Sequence, residues 1–196
     1  MTDPADHVWA DFNARLADAT GVLLHGRIAL TVHRNRIANN IARVGANPAT
    51  PIETSSGPIP GHPGGISLQV WDQTALTDAL DDRGVAFRQL GHQWVVFVFQ
   101  MWEDDIRGRL ATAQGVAHDD VKHPILGDLR LIRNDVIHRR GVASREETGR
   151  CATLRWFSVG DDIFIENWMV ADVMDAFGLT QPAPDGPYVE VPPPLH

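Results

Sequence analysis

The stretch from Arg83 to about Ala113 restricts the fold more than any other part of the chain. Its centre, Trp94-Val95-Val96-Phe97-Val98-Phe99, is rich in Val and Phe, and periodicity alone suits a buried strand there as well as a buried helix. The same apolar pattern continues through Trp102, Ile106 and Leu110 without a turn signal, which predicts a central buried helix. A chain built around such an element has to surround it with other apolar faces.

Those faces are supplied on both sides. Val8, Trp9, Phe12 and Leu16 recur at helical spacing over residues 6–19, and Leu24, Ile28, Val32, Ile37 and Ile41 do so over 22–44, with Gly45 as a stop. The two segments are expected to pair as a helical hairpin around Gly21. Residues 46–65 collect five prolines and many small residues, which predicts an exposed loop. Ile66–Trp71 alternates like a short edge strand, and Asp72–Leu80 suits a short helix. Leu126, Leu129, Ile132 and Val136 form the stripe of another helix, starting near His118-Asp119-Asp120 or at Pro124 and closed by Gly141. A β-hairpin of residues 153–158 with 163–165, turned at Gly160-Asp161-Asp162, and a last helix over 167–177 complete the pattern. Residues 181–196 contain six prolines and read as an extended tail. The expectation is one mainly α domain over residues 1–180, a helical bundle with a small β-hairpin.

The composition excludes several classes. No stretch approaches the roughly 18 apolar residues that span a bilayer, and the acidic start Met1-Thr2-Asp3-Pro4-Ala5-Asp6 is unlike a signal peptide, so a cytoplasmic protein is expected. Cys151 is the sole cysteine, which precludes an internal disulfide. The net charge of -8 argues against a nucleic-acid partner at long range, but the charge is uneven. Lys122 to Arg155 holds eight basic and four acidic residues, so this segment is +4 within an otherwise acidic chain. Such a patch suits a site that handles phosphates, and equally suits a solvated helix face.

That segment contains the candidate chemistry. Arg130, Asn134 and His138 follow one another at i, i+4, i+8 and form a polar ridge on one helix face, with Arg133 beside it. Imidazole titrates near neutrality and guanidinium matches phosphate oxygens, so the pair suits phosphoryl chemistry. Spacing alone is weak evidence, since Arg27 and His33 satisfy a looser version of the same rule.

The longer string from Leu126 to Gly141 resembles HEPN domains. A polar residue follows Arg133, apolar residues precede His138, and a glycine ends the helix soon after. Met101-Trp102-Glu103-Asp104 with Arg107, and Trp156-Phe157 with Gly160-Asp161-Asp162-Ile163, are similar to segments of uncharacterised bacterial HEPN-like proteins. The likeness covers about residues 90–165. It implies a dimeric helical bundle acting on RNA as a metal-independent endoribonuclease without a cofactor, a toxin or antiviral defence effector that an antitoxin protein would restrain. It further implies His138 as general acid/base, Arg133 as phosphate clamp and Asn134 as orienting group, with Arg130, Arg139 and Arg140 on the substrate. Arg139 and Arg140 depart from the neutral or His residues common at those positions. Glu103, Arg107 and Asp135 are supporting residues, Glu103 and Arg107 either as an intrahelical ion pair or bracing Arg133. The alternative is a non-catalytic HEPN-like module that binds a nucleotide or a protein partner. A third reading, a metal-dependent hydrolase using His118, Asp119 and His123, lacks any recognised zinc spacing.

Overall fold

The computed structural model describes residues 3–44, 51–55 and 67–180. It is mainly helical. The first helix, α1 (Pro4–Val44), begins where Asp3 accepts a hydrogen bond from the Ala5 amide at 2.9 Å and Pro4 takes the first helical position. It runs on for 41 residues, about 60 Å, without a break at Gly21. The expected helical hairpin is therefore corrected to one helix. Ala5, Val8, Phe12, Leu16, Thr20, Leu23 and Arg27 are buried at steps of three or four, so a single stripe passes Gly21 in phase. One glycine in a helix costs about 1 kcal/mol, too little to stop a helix whose buried stripe continues on either side. The stripe also selects the face: Ile28 and Val32, expected inside, are 59 % and 38 % exposed, and Leu24 is half-buried.

The loop expected over 46–65 is corrected in part. Ile52–Ser55 forms β1, which pairs antiparallel with β2 (Ser67–Trp71), in register Ile52 to Trp71 and irregular at Thr54/Ser55. The β-branched Ile52 and Thr54 suit a strand despite Pro51 before them. Residues 45–50 and 56–66, and the proline-rich stretch 181–196, lie outside the described residues. After β2, Asp72 caps α2 (Gln73–Ala79) by accepting the Ala75 amide at 2.7 Å. Leu76 and Leu80 then pack with Ile37 in a small cluster on the far half of α1.

The central element is helical from Val85 to Gln114: α3 (Val85–Met101), a π-helical turn (Trp102–Ile106) and α4 (Arg107–Gln114). Val98, Trp102, Ile106 and Leu110 are buried at three successive steps of four. An α-helix of 3.6 residues per turn would carry such a series off its face, and the wider π turn absorbs the drift. Trp102 stacks on Trp9 of α1 with ring centroids 5.8 Å apart, which ties this turn to the bundle. Gly115, in the left-handed region, closes α4.

One turn of 3-10 helix (His118–Asp120) leads to α5 (Pro124–His138), whose Leu126, Leu129 and Ile132 enter the main core with Phe12, Leu16, Val95 and Val98. Residues 139–166 are irregular, with a 3-10 turn at Thr148–Arg150, and α6 (Asn167–Ala176) packs Val170 and Val173 on the same core. The expected hairpin of residues 153–158 with 163–165 does not form. Residues 160–163 instead bond to residues 141–143, through Ile163 N–H to Gly141 O at 2.7 Å, Ala143 N–H to Asp161 O at 2.8 Å and Gly160 N–H to Ala143 O at 2.8 Å. The amides of residues 152–154 are taken by a carboxylate of α5, so none is left for a strand partner. Among the described residues no helix is long and apolar enough to cross a membrane.

Gly21 has nothing within 4 Å of a built Cβ. Gly21→Ala is expected to stabilise the protein by about 0.5–1 kcal/mol, raising the melting temperature by about 1–4 °C in a thermal scan. A lower melting temperature would mean that the chain turns at Gly21.

Candidate functional site

The surface that carries the candidate residues is α5 and the irregular chain that folds back over it. Two carboxylates of α5 hold that chain. Asp128, 5 % exposed, accepts the amides of Ala152, Thr153 and Leu154 at 3.1, 2.6 and 2.7 Å. Asp135, fully buried, accepts those of Ser144 and Thr148 at 2.7 and 3.0 Å through Oδ2, while its Oδ1 has no partner among the described residues. The two lie seven residues apart, hence on one side of the helix. Burial pushes the Asp135 carboxyl up, but the Ser144 and Thr148 donors outweigh it and leave the group below the ordinary carboxylate range. Asp128 is therefore no ion partner of Arg133, the pairing a plain surface reading would assign to it.

Between these anchors sits Cys151, whose thiol is directed at the Asp128 carbonyl oxygen at 3.7 Å. Burial first, and then the negative charges of Asp128, Asp135 and Glu147, push that thiol up to about 12. It is held as a thiol at neutral pH.

Arg133 is half-buried; it donates to Asn134 Oδ1 at 3.1 Å, and its Nε is buried without a partner among the described residues. Asn134 in turn donates to Glu147 Oε2 at 3.2 Å, so Asn134 is oriented by the folded-back chain. His138 is the last residue of α5 and is exposed, where a positive charge also suits the helix dipole. Arg139 follows as the helix cap and reaches Glu146 at 4.0 Å, a surface pair of little energetic consequence. Arg140 and Gly141 then adopt positive φ, 57° and 75°, and turn the chain away. A Cβ on Gly141 would lie 2.6 Å from His92 Cε1, so glycine is required there by contact as well as by φ. His92 is 7 % exposed and its Nε2 donates to the Ile163 carbonyl oxygen at 2.8 Å, which joins α3, the end of α5 and the 160–163 segment at one ring. Burial lowers its pKa below that of an ordinary imidazole, so it is neutral at pH 7.

The supporting residues fall elsewhere. Arg107 donates to both oxygens of Glu103 at 3.0 Å and to the Val121 carbonyl oxygen at 3.0 Å, with Asp119 at 3.6 Å. Its guanidinium is used to fasten the π turn to the chain before α5, not to brace Arg133. Arg130, exposed, shares a groove with Glu103, Arg107, Lys122 and His123 at the other end of α5. Neither Arg133, Asn134 nor His138 lines that groove. His123 stacks on Phe177 at 4.7 Å, with its Nδ1 buried and without a partner among the described residues, while His118 and Asp119 stay exposed. Among the described residues no group of three or more His, Cys, Asp or Glu is placed to hold a metal ion. Arg27, the start of the second Arg/His spacing, is buried and donates to Asn167 and the Ile165 carbonyl oxygen.

Sequence reasoning missed the anchoring role of Asp128, the Glu147 contact to Asn134 and the His92 hub. Two acidic residues at seven-residue spacing on the side of an apolar stripe are a legible sign of buried carboxylates; nothing near His92 or Glu147 in the chain pointed to α5.

Replacing Asp135 by Ala is expected to cost about 3 kcal/mol, because two amides lose their acceptor, and Asp135→Asn less, about 1–2 kcal/mol, in urea unfolding. A carboxyl held lower in the folded than in the unfolded state stabilises above its unfolded pKa and loses that effect as pH falls. The gap between wild type and Asp135→Asn should therefore be constant above about pH 5 and shrink below about pH 4; a gap that grows on acidification would contradict the assignment. Compared with protein-family models, curated proteins and solved structures, the chain matches none.

Proposed function

We propose that the face of α5 bearing Arg133 and His138 cleaves RNA without a metal ion, as a HEPN-type endoribonuclease completed by a second copy of the chain. The observation that carries this reading is an exposed imidazole at the end of α5, five residues after a half-buried guanidinium bonded to a neutral amide and, among the described residues, to no carboxylate. An arginine whose charge is not cancelled by an acid retains its attraction for phosphate oxygens. Exposed Arg139, Arg140 and Arg145 follow His138 closely in the chain and add a positive field at this end of α5, whereas Arg130 lies toward the other end.

In the proposed reaction the His138 imidazole takes the proton of a ribose 2′-hydroxyl, and the 2′-oxygen attacks the adjacent phosphorus. The bond to the 5′-oxygen breaks, and that oxygen receives a proton from the imidazole of the second copy. The products are a 2′,3′-cyclic phosphate and a 5′-hydroxyl. Arg133 holds the charge that builds on the phosphoryl oxygens, and Asn134, fixed by Glu147, orients the Arg133 guanidinium. Two imidazoles are required because one ring cannot be base and acid in the same step. Ile137, next to His138, and Val142, beyond the reversal, are 44 % and 39 % exposed and offer apolar surface for the self-contact. In a cell, this chemistry is that of a toxin or antiviral defence effector kept in check by an antitoxin protein.

The purified protein should cut single-stranded RNA in EDTA, leaving cyclic phosphate ends, and should leave DNA intact. His138→Ala and Arg133→Ala should each lower the rate by about 10²-fold or more while keeping the wild-type melting temperature. Undiminished cutting by His138→Ala would remove its role, and activity lost to EDTA would mean a metal-dependent reaction.

A further inference from the structure

A pocket of about 680 Å³ opens between the middle of α1, the start of α3 and the first turn of α6. Its walls are largely apolar, from Leu24, Ile28, Val32, Phe87, Phe164 and Trp168. Ile28 and Trp168 are 59 % and 54 % exposed, so apolar residues that the core stripe of α1 leaves outside gather at this opening. One cation lines it, Arg27, which is 7 % exposed. Among the described residues no carboxylate lies within 4.0 Å of its guanidinium, because the two acids of the pocket are engaged by other arginines: Glu166 by Arg83 at 2.7 Å and Asp82 by Arg34 at 3.0 Å. Arg27 donates instead to two neutral acceptors, Asn167 Oδ1 at 2.5 Å and the Ile165 carbonyl oxygen, and its Nε is buried with no partner among the described residues.

A guanidinium taken out of water costs free energy that a counterion or a full set of acceptors has to offset. Here the burial is not fully compensated: it lowers the Arg27 pKa, and the charge of Glu166 raises it by less. Two further donors belong to the same pocket. The Glu166 side chain accepts the Met169 amide at the start of α6, which leaves the amides of Asn167 and Trp168 without an acceptor among the described residues. Such first-turn amides carry the positive end of the helix dipole. The bond from Arg27 to Asn167, 140 residues apart in the chain, fastens the buried cation to that helix start.

We propose that this pocket binds a small monocarboxylate with an apolar body, its carboxylate at Arg27 and the first amides of α6 and its body against Ile28, Phe87 and Trp168. A guanidinium matches the two oxygens of a carboxylate, and a helix N-terminus favours an anion beside it. The volume is that of a small-ligand site, and its apolar walls with a few polar groups at one place are the usual make-up of one. Charge and lining together select the ligand class. Only one cation is left uncancelled, and Glu166 and Asp82 repel a doubly charged phosphate about twice as strongly as a single carboxylate. No residue of α5 lines the pocket, so the site is independent of the RNA-cleaving face.

Titration calorimetry with benzoate, 2-naphthoate and octanoate, with neutral benzamide beside benzoate, tests this directly. At least one carboxylate should bind with a Kd between about 10 μM and 1 mM, and benzamide should bind about tenfold more weakly than benzoate. Arg27→Met replaces the buried charge by an apolar chain of similar length, a change that cores tolerate, and should bind benzoate no better than benzamide. Arg27→Lys serves if that variant does not fold, and should weaken carboxylate binding by about tenfold because the planar fork is lost. Trp168→Ala, at an exposed position, should weaken it about fivefold, while Arg43→Ala at the far end of α1 leaves it unchanged. Failure of all three carboxylates to bind, benzamide binding as tightly as benzoate, or undiminished binding by the Arg27 or Trp168 variants overturns the proposal. Competition by AMP at equal or lower concentration would make the site one for phosphates and overturns it as well.

Discussion

The irregular chain from residue 139 to 166 reaches the core through Leu154, Ile163 and Ile165, and two buried carboxylates of α5 fix the backbone between them and the helix. Asp128 and Asp135 together accept five backbone amides, each bond to a charged acceptor in a place where water does not compete. Buried carboxylates are tolerated only when their oxygens are supplied with donors, so the helix and the loop each require the other. Remove the loop and the acids are stranded inside; remove the acids and five amides lose their acceptor.

The same arrangement decides what the end of α5 presents to solvent. With the loop folded back, Glu147 reaches Asn134, and the chain has to reverse direction immediately after His138. The reversal uses two residues at positive φ, Arg140 and Gly141, against the ring of His92. His138 is exposed at the end of α5, while Arg140, beyond the reversal, lines a groove along α3. The π turn has a comparable part at the opposite end of α5. It keeps Trp102 and Ile106 in the core while Glu103 and Arg107 fasten the segment before Pro124, so the helix is located from both ends.

Much of the bundle was legible in the chain. The central helix, α2, α5 and α6 follow from apolar spacing and from punctuation by Asp72, Pro124 and Gly141, and these local signals agree with the tertiary contacts. The readings that failed did so where a local signal was overridden. Gly21 looked like a turn because its cost is real, yet the buried stripe through Thr20 and Leu23 outweighs about 1 kcal/mol. Residues 153–158 looked like a strand, yet its first two amides, with that of Ala152 just before them, are taken by Asp128, and only the fold reveals that acceptor. At the candidate site, Arg133, Asn134 and His138 were visible through their spacing on one helix, whereas Glu147 and His92 lie 9 residues or more away in sequence and signalled nothing.

What the chain determines by itself is periodic and local: which segments are helical, where α5 begins and ends, and that an arginine and a histidine stand five residues apart on it. These follow from the 3.6-residue repeat and the backbone needs of proline and glycine, which act within a few residues. Which of those side chains meet was decided only by tertiary structure. Burial, hydrogen-bond supply and the charge around Asp128, Asp135 and His92 depend on groups brought together from distant segments, and no repeat in the chain encodes that proximity.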